Sequence, residues 1–170
     1  KIQQFQDTGS HTFLFGFEES YGYLAGSYVR DKDAVVASML ICEMAAFYRT
    51  KGISLIQARE NMYKKYGVYV HSQSSFVCEG VTGMERMKEI MSDLRTNTPK
   101  TIGGLTVTRF EDYLASTSVD TATGAKTMLT PPKSDVLTFK LTDGASVIIR
   151  PSGTEPKIKA YYTTTACVGL

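Results

Sequence analysis

The sequence predicts two parts with different folds: the C-terminal end of an α/β unit over residues 1–67, then an α+β segment with a mainly antiparallel sheet over residues 68–170. The first part has the order strand, glycine-rich loop, helix, helix. The second part surrounds one helical apolar pattern with short β-rich runs and a hairpin signal. With 170 residues the chain can form a hydrophobic core, and its net charge of +2 argues against a general nucleic-acid-binding protein.

The N-terminal segment has neither the apolar stretch of a signal peptide nor an initiator Met. Residues 1–7 look like the middle of a helix, so we expect the chain to be a fragment of a longer protein. The β-rich run 12–15 predicts a short strand that ends at Gly16. Residues 17–32 are rich in Gly, Glu, Ser and Tyr, and they predict a loop.

Two helices are predicted after this loop. Asp33 is a favourable N-cap for a helix over residues 34–51. Ser54 and Gln57 have the spacing of a capping box, which predicts a second helix that ends at Gly67.

Composition predicts a cytoplasmic protein without a membrane span. The apolar segment 34–48 contains Glu43 and is shorter than the ~20 residues that a span needs, so it predicts a buried helix. The three cysteines, Cys42, Cys78 and Cys167, are far apart and form no C-x-x-C motif. We therefore expect reduced intracellular thiols that act as small core residues.

The second part begins with a β-rich run over residues 69–79. Residues 82–85 have the pattern of a second capping box and predict the start of a helix. Its apolar residues recur at a spacing of three and four, which predicts one face packed in the core: Met84, Met87, Met91 and Leu94.

A β-hairpin is the clearest signal near the C-terminus. Residues 137–141 alternate between apolar and polar, Asp143-Gly144 predicts a two-residue turn, and residues 146–150 return. Residues 158–162 predict a further strand. The small polar residues 116–126 predict a long loop.

The segment 150–157, Arg-Pro-Ser-Gly-Thr-Glu-Pro-Lys, combines chemistry that suits a phosphate dianion. Arg150 can donate two N–H bonds, the two hydroxyls can donate, and Gly153 lets a ligand approach the backbone. The alternative is an ordinary Ser-Gly turn between two strands, in which Arg150 and Lys157 are only solvated.

A second loop, residues 16–23, has the sequence Gly-Phe-Glu-Glu-Ser-Tyr-Gly-Tyr. It follows a predicted strand and precedes a helix, and ligands bind at that end of strands in α/β sheets. Its carboxylates and hydroxyl could bind vicinal sugar hydroxyls. The alternative is a solvated loop, since adjacent glutamates are common on surfaces.

The motifs at residues 16–22, 30–34 and 150–156 occur in this order and together resemble the α-D-phosphohexomutase superfamily. The chain looks most like its bacterial phosphoglucomutase/phosphomannomutase branch, over essentially its whole length. The resemblance implies an enzyme with four domains around a cleft. Residues 1–67 would be the C-terminal part of domain 3. Residues 68–170 would be the TATA-box-binding-protein-like domain 4, without its last helix.

The resemblance also implies a reaction. Members move a phosphoryl group between the C1 and C6 oxygens of a hexose phosphate, through a phosphoserine and a bisphosphate such as glucose 1,6-bisphosphate, with Mg²⁺. Glucose is the favoured sugar here and mannose stays open. Matched by position, Glu18 and Ser20 would contact sugar hydroxyls. The loop that holds the substrate phosphate would comprise Arg150, Ser152, Gly153 and Thr154, with Lys157 nearby.

Two motifs of the family have no match in this chain: the Ser-His-Asn-Pro phosphoserine loop and the Asp-Gly-Asp metal loop. They would belong to domains 1 and 2, before Lys1, so we expect this chain alone to have neither catalytic residue nor metal ligand and to be inactive. A phosphosugar-binding module without chemistry is one alternative, and a nucleic-acid-binding module is another. The junction at Gly67 is interpreted as either a hinge between domains or a plain helix cap.

Overall fold

A computed structural model describes residues 1–18 and 21–166 of the chain. The chain divides into two compact units, Lys1–Lys65 and Tyr66–Leu170. We call these the first unit and the second unit, and each contains its own β-sheet. Within the described residues, none of the helices has both the length and the apolar character required to cross a membrane.

The first unit contains helices and one small antiparallel sheet. Its elements are α1 (Ile2–Thr8), β1 (Phe15–Phe17), β2 (Tyr23–Ala25), α2 (Ala34–Thr50) and α3 (Leu55–Tyr66), the last of which ends at the first residue of the second unit. Strands β1 and β2 pair with Gly16 opposite Leu24.

The strand predicted at residues 12–15 is therefore wrong in its bounds, and the loop predicted over 17–32 contains β2. Aromatic residues continue past Gly16 and reappear at Tyr23, so both runs suit an extended pair. Next to this pair, the Glu18 amide donates to the Gly22 carbonyl at 2.8 Å.

Both predicted helix starts in the first unit are confirmed. A carboxylate oxygen of Asp33 accepts from the amides of Val35 and Val36, at 2.9 and 3.2 Å, and so caps α2. The Ser54 amide donates to the Gln57 side chain at 2.8 Å, and the Gln57 amide donates to the Ser54 hydroxyl at 3.2 Å. This reciprocal pair is a capping box, and α3 follows it.

The prediction that the apolar helix α2 is buried is wrong. None of its residues is buried, and five of its large apolar side chains are exposed: Val35, Met39, Ile41, Met44 and Phe47. The physical reason is that a hairpin of two three-residue strands is too small to cover a helix of 17 residues.

The second unit is a helix packed on an antiparallel sheet, which confirms the predicted fold class. Its elements are β3 (Val68–Val77), α4 (Gly83–Thr96), β4 (Thr101–Ile102), β5 (Leu105–Asp112), β6 (Thr117–Asp120), β7 (Lys126–Met128), β8 (Leu137–Leu141), β9 (Ser146–Pro151) and β10 (Lys157–Ala166). The strand order is β3-β10-β9-β8-β5-β6-β7, and β4 pairs with β5. Each of these pairs is antiparallel.

The long loop predicted over residues 116–126 is wrong, because it contains β6 and the first residue of β7. The turn between them is short. The Asp120 side chain accepts from the amides of Ala122 and Thr123, at 3.2 and 2.9 Å. Such an Asx-type turn, flanked by Thr, Ser and Val, favours a hairpin over an irregular loop.

The core lies between α4 and one face of the sheet. Met87 and Met91 of α4 are buried, as predicted, and Leu94 packs against the same cluster. Met84 is 38 % exposed, so its predicted place in the core is wrong. The predicted capping box is also wrong, because the Thr82 side chain makes no capping hydrogen bond.

The predicted hairpin is formed by β8 and β9. Asp143 and Gly144 both have positive φ, 61° and 75°, as the Asp-Gly pair predicts. The connection is longer than two residues, since the Leu141 amide donates to the Ala145 carbonyl at 2.8 Å. The apolar residues Leu137, Phe139 and Leu141 of β8 are buried, which fixes the register of the hairpin.

Met91→Ala should lower the free energy of unfolding of the second unit by about 2–5 kcal/mol, because Met91 is 1 % exposed and its loss leaves a cavity. The control is Met84→Ala on the same helix, expected to cost no more than about 0.5 kcal/mol. Urea denaturation followed by NMR signals of β8 measures both. Equal costs for the two variants would contradict the placement of the core.

Candidate functional site

The predicted phosphate segment is the connection between β9 and β10. Arg150 is in β9 and lies opposite Lys159 of β10, so the two residues share one face of the sheet. Lys157, two residues before Lys159, lies on that face as well. This is the face opposite to Ile158 and Ala160, which are buried in the core. Three cationic residues therefore converge beside one loop.

Hydrogen bonds within the loop fix its backbone. The Ser152 amide donates to the Lys157 carbonyl at 2.7 Å. The Ser152 hydroxyl oxygen accepts from the amides of Thr154 and Glu155, at 3.4 and 3.3 Å. Because the oxygen acts as acceptor in these two contacts, the hydroxyl can still donate its proton to an anion.

Gly153 is exposed, and an added Cβ would meet open space. Its φ is not in the positive range, so the fold itself does not require glycine there. A ligand that approaches the backbone closely would require it. The geometry is consistent with backbone contact to an anion at this position.

The back of the loop is held by the rest of the second unit. The Cys78 amide donates to the Pro156 carbonyl at 2.7 Å. A Cβ on Gly83 would lie 2.0 Å from the Cys78 carbonyl oxygen and 3.0 Å from Pro156 Cβ. The start of α4 therefore packs too tightly against this end of the loop for any side chain at position 83.

One carboxylate lies among the cations of the loop. Lys157 Nζ is 2.6 Å from Glu155 Oε2, and the two side chains are 26 % and 60 % exposed. The Lys157 ammonium, with a smaller effect of Lys159, holds the pKa of Glu155 below its ordinary value. Glu155 is therefore ionised at neutral pH and partly neutralises the loop.

The other predicted loop is in the first unit and borders a cavity of about 190 Å³. Glu18 lies at its edge, with one carboxylate oxygen 3.5 Å from Lys32 Nζ. Lys32 also pairs with Asp31 at 2.8 Å. The carboxylates of Asp31 and, to a smaller extent, Glu18 raise the pKa of Lys32. A carboxylate accepts from hydroxyls and an ammonium donates to them, so this pair could bind a polyol.

Gly22 makes the approach of Lys32 to Glu18 possible. A Cβ on Gly22 would lie 2.0 Å from Lys32 Cδ, so the aliphatic part of the lysine crosses directly over this glycine. Arg30 lines the same cavity. Its guanidinium is held by the Ser27 carbonyl and the side chains of Gln3 and Gln6.

The structure brings five predicted residues together in the second unit, Arg150, Ser152, Gly153, Thr154 and Lys157, and places Glu18 in the first unit. Ser20 lies outside the described residues. Sequence reasoning gave no role to Lys32 or Lys159. A signal existed for both: Lys32 lies within the motif at 30–34, and Lys159 alternates with Lys157 along a strand.

Within the described residues, no group of three or more His, Cys, Asp or Glu side chains could hold a metal ion. The described residues of the two loops offer donor and acceptor groups that suit an anion and a polyol.

Two family models match the chain. Residues 2–66 match phosphoglucomutase/phosphomannomutase, alpha/beta/alpha domain III, and residues 85–165 match the C-terminal domain of the same proteins. Phosphoglucomutases from Staphylococcus aureus strain bovine RF122 and from Staphylococcus haemolyticus are 38% and 36% identical to the chain, over 95% and 94% of its length. The chain spans 29% of the length of each of these two relatives.

A likeness to a solved structure supports the fold. The open form of the exocytosis-sensitive phosphoprotein parafusin, a phosphoglucomutase from Paramecium, aligns with a TM-score of 0.62 at 19% identity. The alignment covers 97% of this chain and 28% of that protein.

Lowering the pH should destabilise the first turn of α2, because protonation of Asp33 weakens its cap. Hydrogen bonds from the Tyr28 hydroxyl, first, and from the amides of Val36 and Val35 lower the pKa of Asp33. A lowered pKa means that the cap stabilises the helix above the unfolded value of about 3.9 and is lost as pH falls through the folded value. The protection of the Val35 and Val36 amides against hydrogen exchange, relative to the intrinsic exchange rate at each pH, should fall in that range.

The matched control for this pH effect is Asp33→Asn, which keeps a side-chain acceptor at the cap but cannot titrate. Exchange at the two capped amides should then show no step in the acid range. The same acid-induced step in the Asn variant would show that another group controls this end of the helix.

Proposed function

The chain belongs to the phosphoglucomutase/phosphomannomutase family, and we propose that it supplies the sugar-binding and phosphate-binding loops of a phosphohexomutase. The full-length enzyme would interconvert hexose 1-phosphate and hexose 6-phosphate through a phosphoserine and a bisphosphate such as glucose 1,6-bisphosphate. Glucose is the proposed sugar, with mannose as the alternative.

The proposal rests mainly on the donor groups of the loop after β9. Arg150 can present its planar guanidinium to two phosphate oxygens, and Ser152 retains a proton to donate. Gly153 leaves the backbone open to a ligand. A phosphate held here would be remote from the bond that changes, so its binding energy could position the reacting oxygen.

In the first unit, Glu18 and Ser20 are proposed to bind sugar hydroxyls, with Lys32 as a further donor. Lys32 is held beside Glu18 by the pair of contacts at Asp31 and Glu18. In this proposal one loop recognises the sugar hydroxyls and the other loop recognises the phosphate.

Residues 1–67 are proposed to be the end of domain 3 and residues 68–170 most of domain 4. Gly67, at φ 89°, joins α3 to β3 and is the proposed hinge. Mg²⁺ and the phosphoserine would be held by domains 1 and 2 of the full-length enzyme.

Arg150→Ala in the full-length enzyme should weaken substrate binding by about 1.5–3 kcal/mol, or about 10- to 150-fold, because a charge-assisted contact is lost. Arg150→Lys should recover only part of the lost affinity, since an ammonium cannot form the planar fork of a guanidinium. Kinetics with glucose 1-phosphate measure both. The control is Arg109→Ala on the exposed surface of β5. Unchanged kinetics in the Arg150→Ala variant would refute the assignment.

Glu18→Gln and Ser20→Ala in the full-length enzyme should slow turnover of hexose phosphates by at least about tenfold. Binding of inorganic phosphate should stay within about twofold of wild type, because phosphate is recognised by the other loop. Steady-state kinetics and phosphate inhibition measure the two effects. A parallel loss of both would contradict the division between the loops.

The purified 170-residue chain should show no mutase turnover, because it lacks the proposed nucleophile and metal loops. The assay supplies glucose 1-phosphate, glucose 1,6-bisphosphate and Mg²⁺ and measures glucose 6-phosphate. The full-length enzyme is the positive control. Measurable conversion that increases with the amount of pure chain would show the proposal to be wrong.

A further inference from the structure

The charge arrangement of the phosphate loop contains one feature that binding alone does not explain. Three cationic residues, Arg150, Lys157 and Lys159, share a face of the sheet at the loop. A carboxylate among them opposes phosphate binding, because it repels a dianion and occupies a donor. Glu155 nevertheless lies in salt-bridge contact with Lys157.

We propose that Glu155 is a positioning residue that moderates phosphate binding by holding the Lys157 ammonium until a phosphate displaces it. This rests on the proposed function of the loop. In the unliganded loop the Glu155 carboxylate takes the place of a phosphate oxygen. When phosphate binds, Lys157 exchanges one anion for the other, and the Glu155 carboxylate returns to water.

The exchange is physically reasonable because the pair is only partly buried. The Glu155 side chain is 60 % exposed, so its carboxylate is already largely hydrated and its release to solvent costs little free energy. The Lys157 side chain is 26 % exposed and lies at the start of β10, where the strand restricts its motion. The ammonium therefore stays near the loop while the carboxylate leaves.

Such a moderator suits a loop that must release its phosphate within a reaction cycle. In the proposed reaction the bisphosphate leaves this loop and returns with its other phosphate. Without the Glu155 carboxylate, the loop would bind either phosphate more tightly and would slow that release. The Glu155 carboxylate lowers the affinity of the loop for phosphate. It also pairs with Lys157 again as the phosphate leaves.

The first test compares binding of inorganic phosphate by the wild-type chain, Glu155→Gln and Arg150→Ala, followed by NMR shifts of the amides of Ser152, Gly153 and Thr154. Glu155→Gln should tighten binding about three- to fivefold, the size of one exposed charge interaction. Arg150→Ala should weaken it. If Glu155→Gln binds phosphate as wild type does or more weakly, while Arg150→Ala still weakens binding, then only the proposed role of Glu155 is refuted. If phosphate shifts none of these amide signals in any of the three chains, the proposal that this loop binds phosphate is wrong.

A double-mutant cycle tests whether Glu155 acts through Lys157. In a Lys157→Met background, Glu155→Gln should change phosphate affinity less than twofold. An equal gain with and without Lys157 would show that the carboxylate only repels phosphate directly, and the positioning role would be wrong.

The pKa of the Glu155 carboxyl group provides a further test, because a purely structural role of Glu155 would leave this pKa unchanged when an anion binds. Sulfate is the probe, because it stays dianionic across the range in which carboxyl groups titrate. Sulfate should raise the pKa of Glu155, since the anion removes Lys157 and adds negative charge nearby. The ¹³C shift of the carboxyl carbon measures it, and a pKa that falls or stays fixed under saturating sulfate would refute the exchange.

Discussion

The pairing of β9 with β10 is the constraint on which the proposed phosphate site depends. Its antiparallel register places Arg150 opposite Lys159 and brings Ser152 and Lys157 to the two ends of one short loop. Burial of alternate residues on the other face fixes that register, because a slip by one residue would move the cations into the core. The hydrophobic core therefore determines which direction the binding side chains face.

The first unit uses local contacts to place its charges. Lys32 reaches Glu18 only because Gly22 has no side chain, and Asp31 pairs with the same ammonium. Little core supports these contacts, since α2 leaves its apolar residues exposed. The chain spans 29% of the length of the two phosphoglucomutases with which it was compared.

Local chemistry predicted much of the fold and failed where tertiary context decides. Asp33, Ser54 and Gln57 are caps whose partners lie within three residues, so sequence was enough to find them. Thr82 has the same residue pattern but makes no capping bond, because the helix start is set by packing of Gly83 on the Cys78 carbonyl. The site motifs were recognisable as segments, whereas the closeness of Lys159 to Arg150 required the strand register.

The loop after β9 is proposed to bind the phosphate of a sugar phosphate. A crystal structure of the full-length enzyme with glucose 1,6-bisphosphate tests it most directly. Phosphate oxygens should lie within about 3.2 Å of the Arg150 guanidinium, the Ser152 hydroxyl and the backbone at Gly153 and Thr154. Lys157 should then contact phosphate rather than Glu155. A fully occupied bisphosphate with both phosphates bound away from this loop would show that the loop is not the phosphate site.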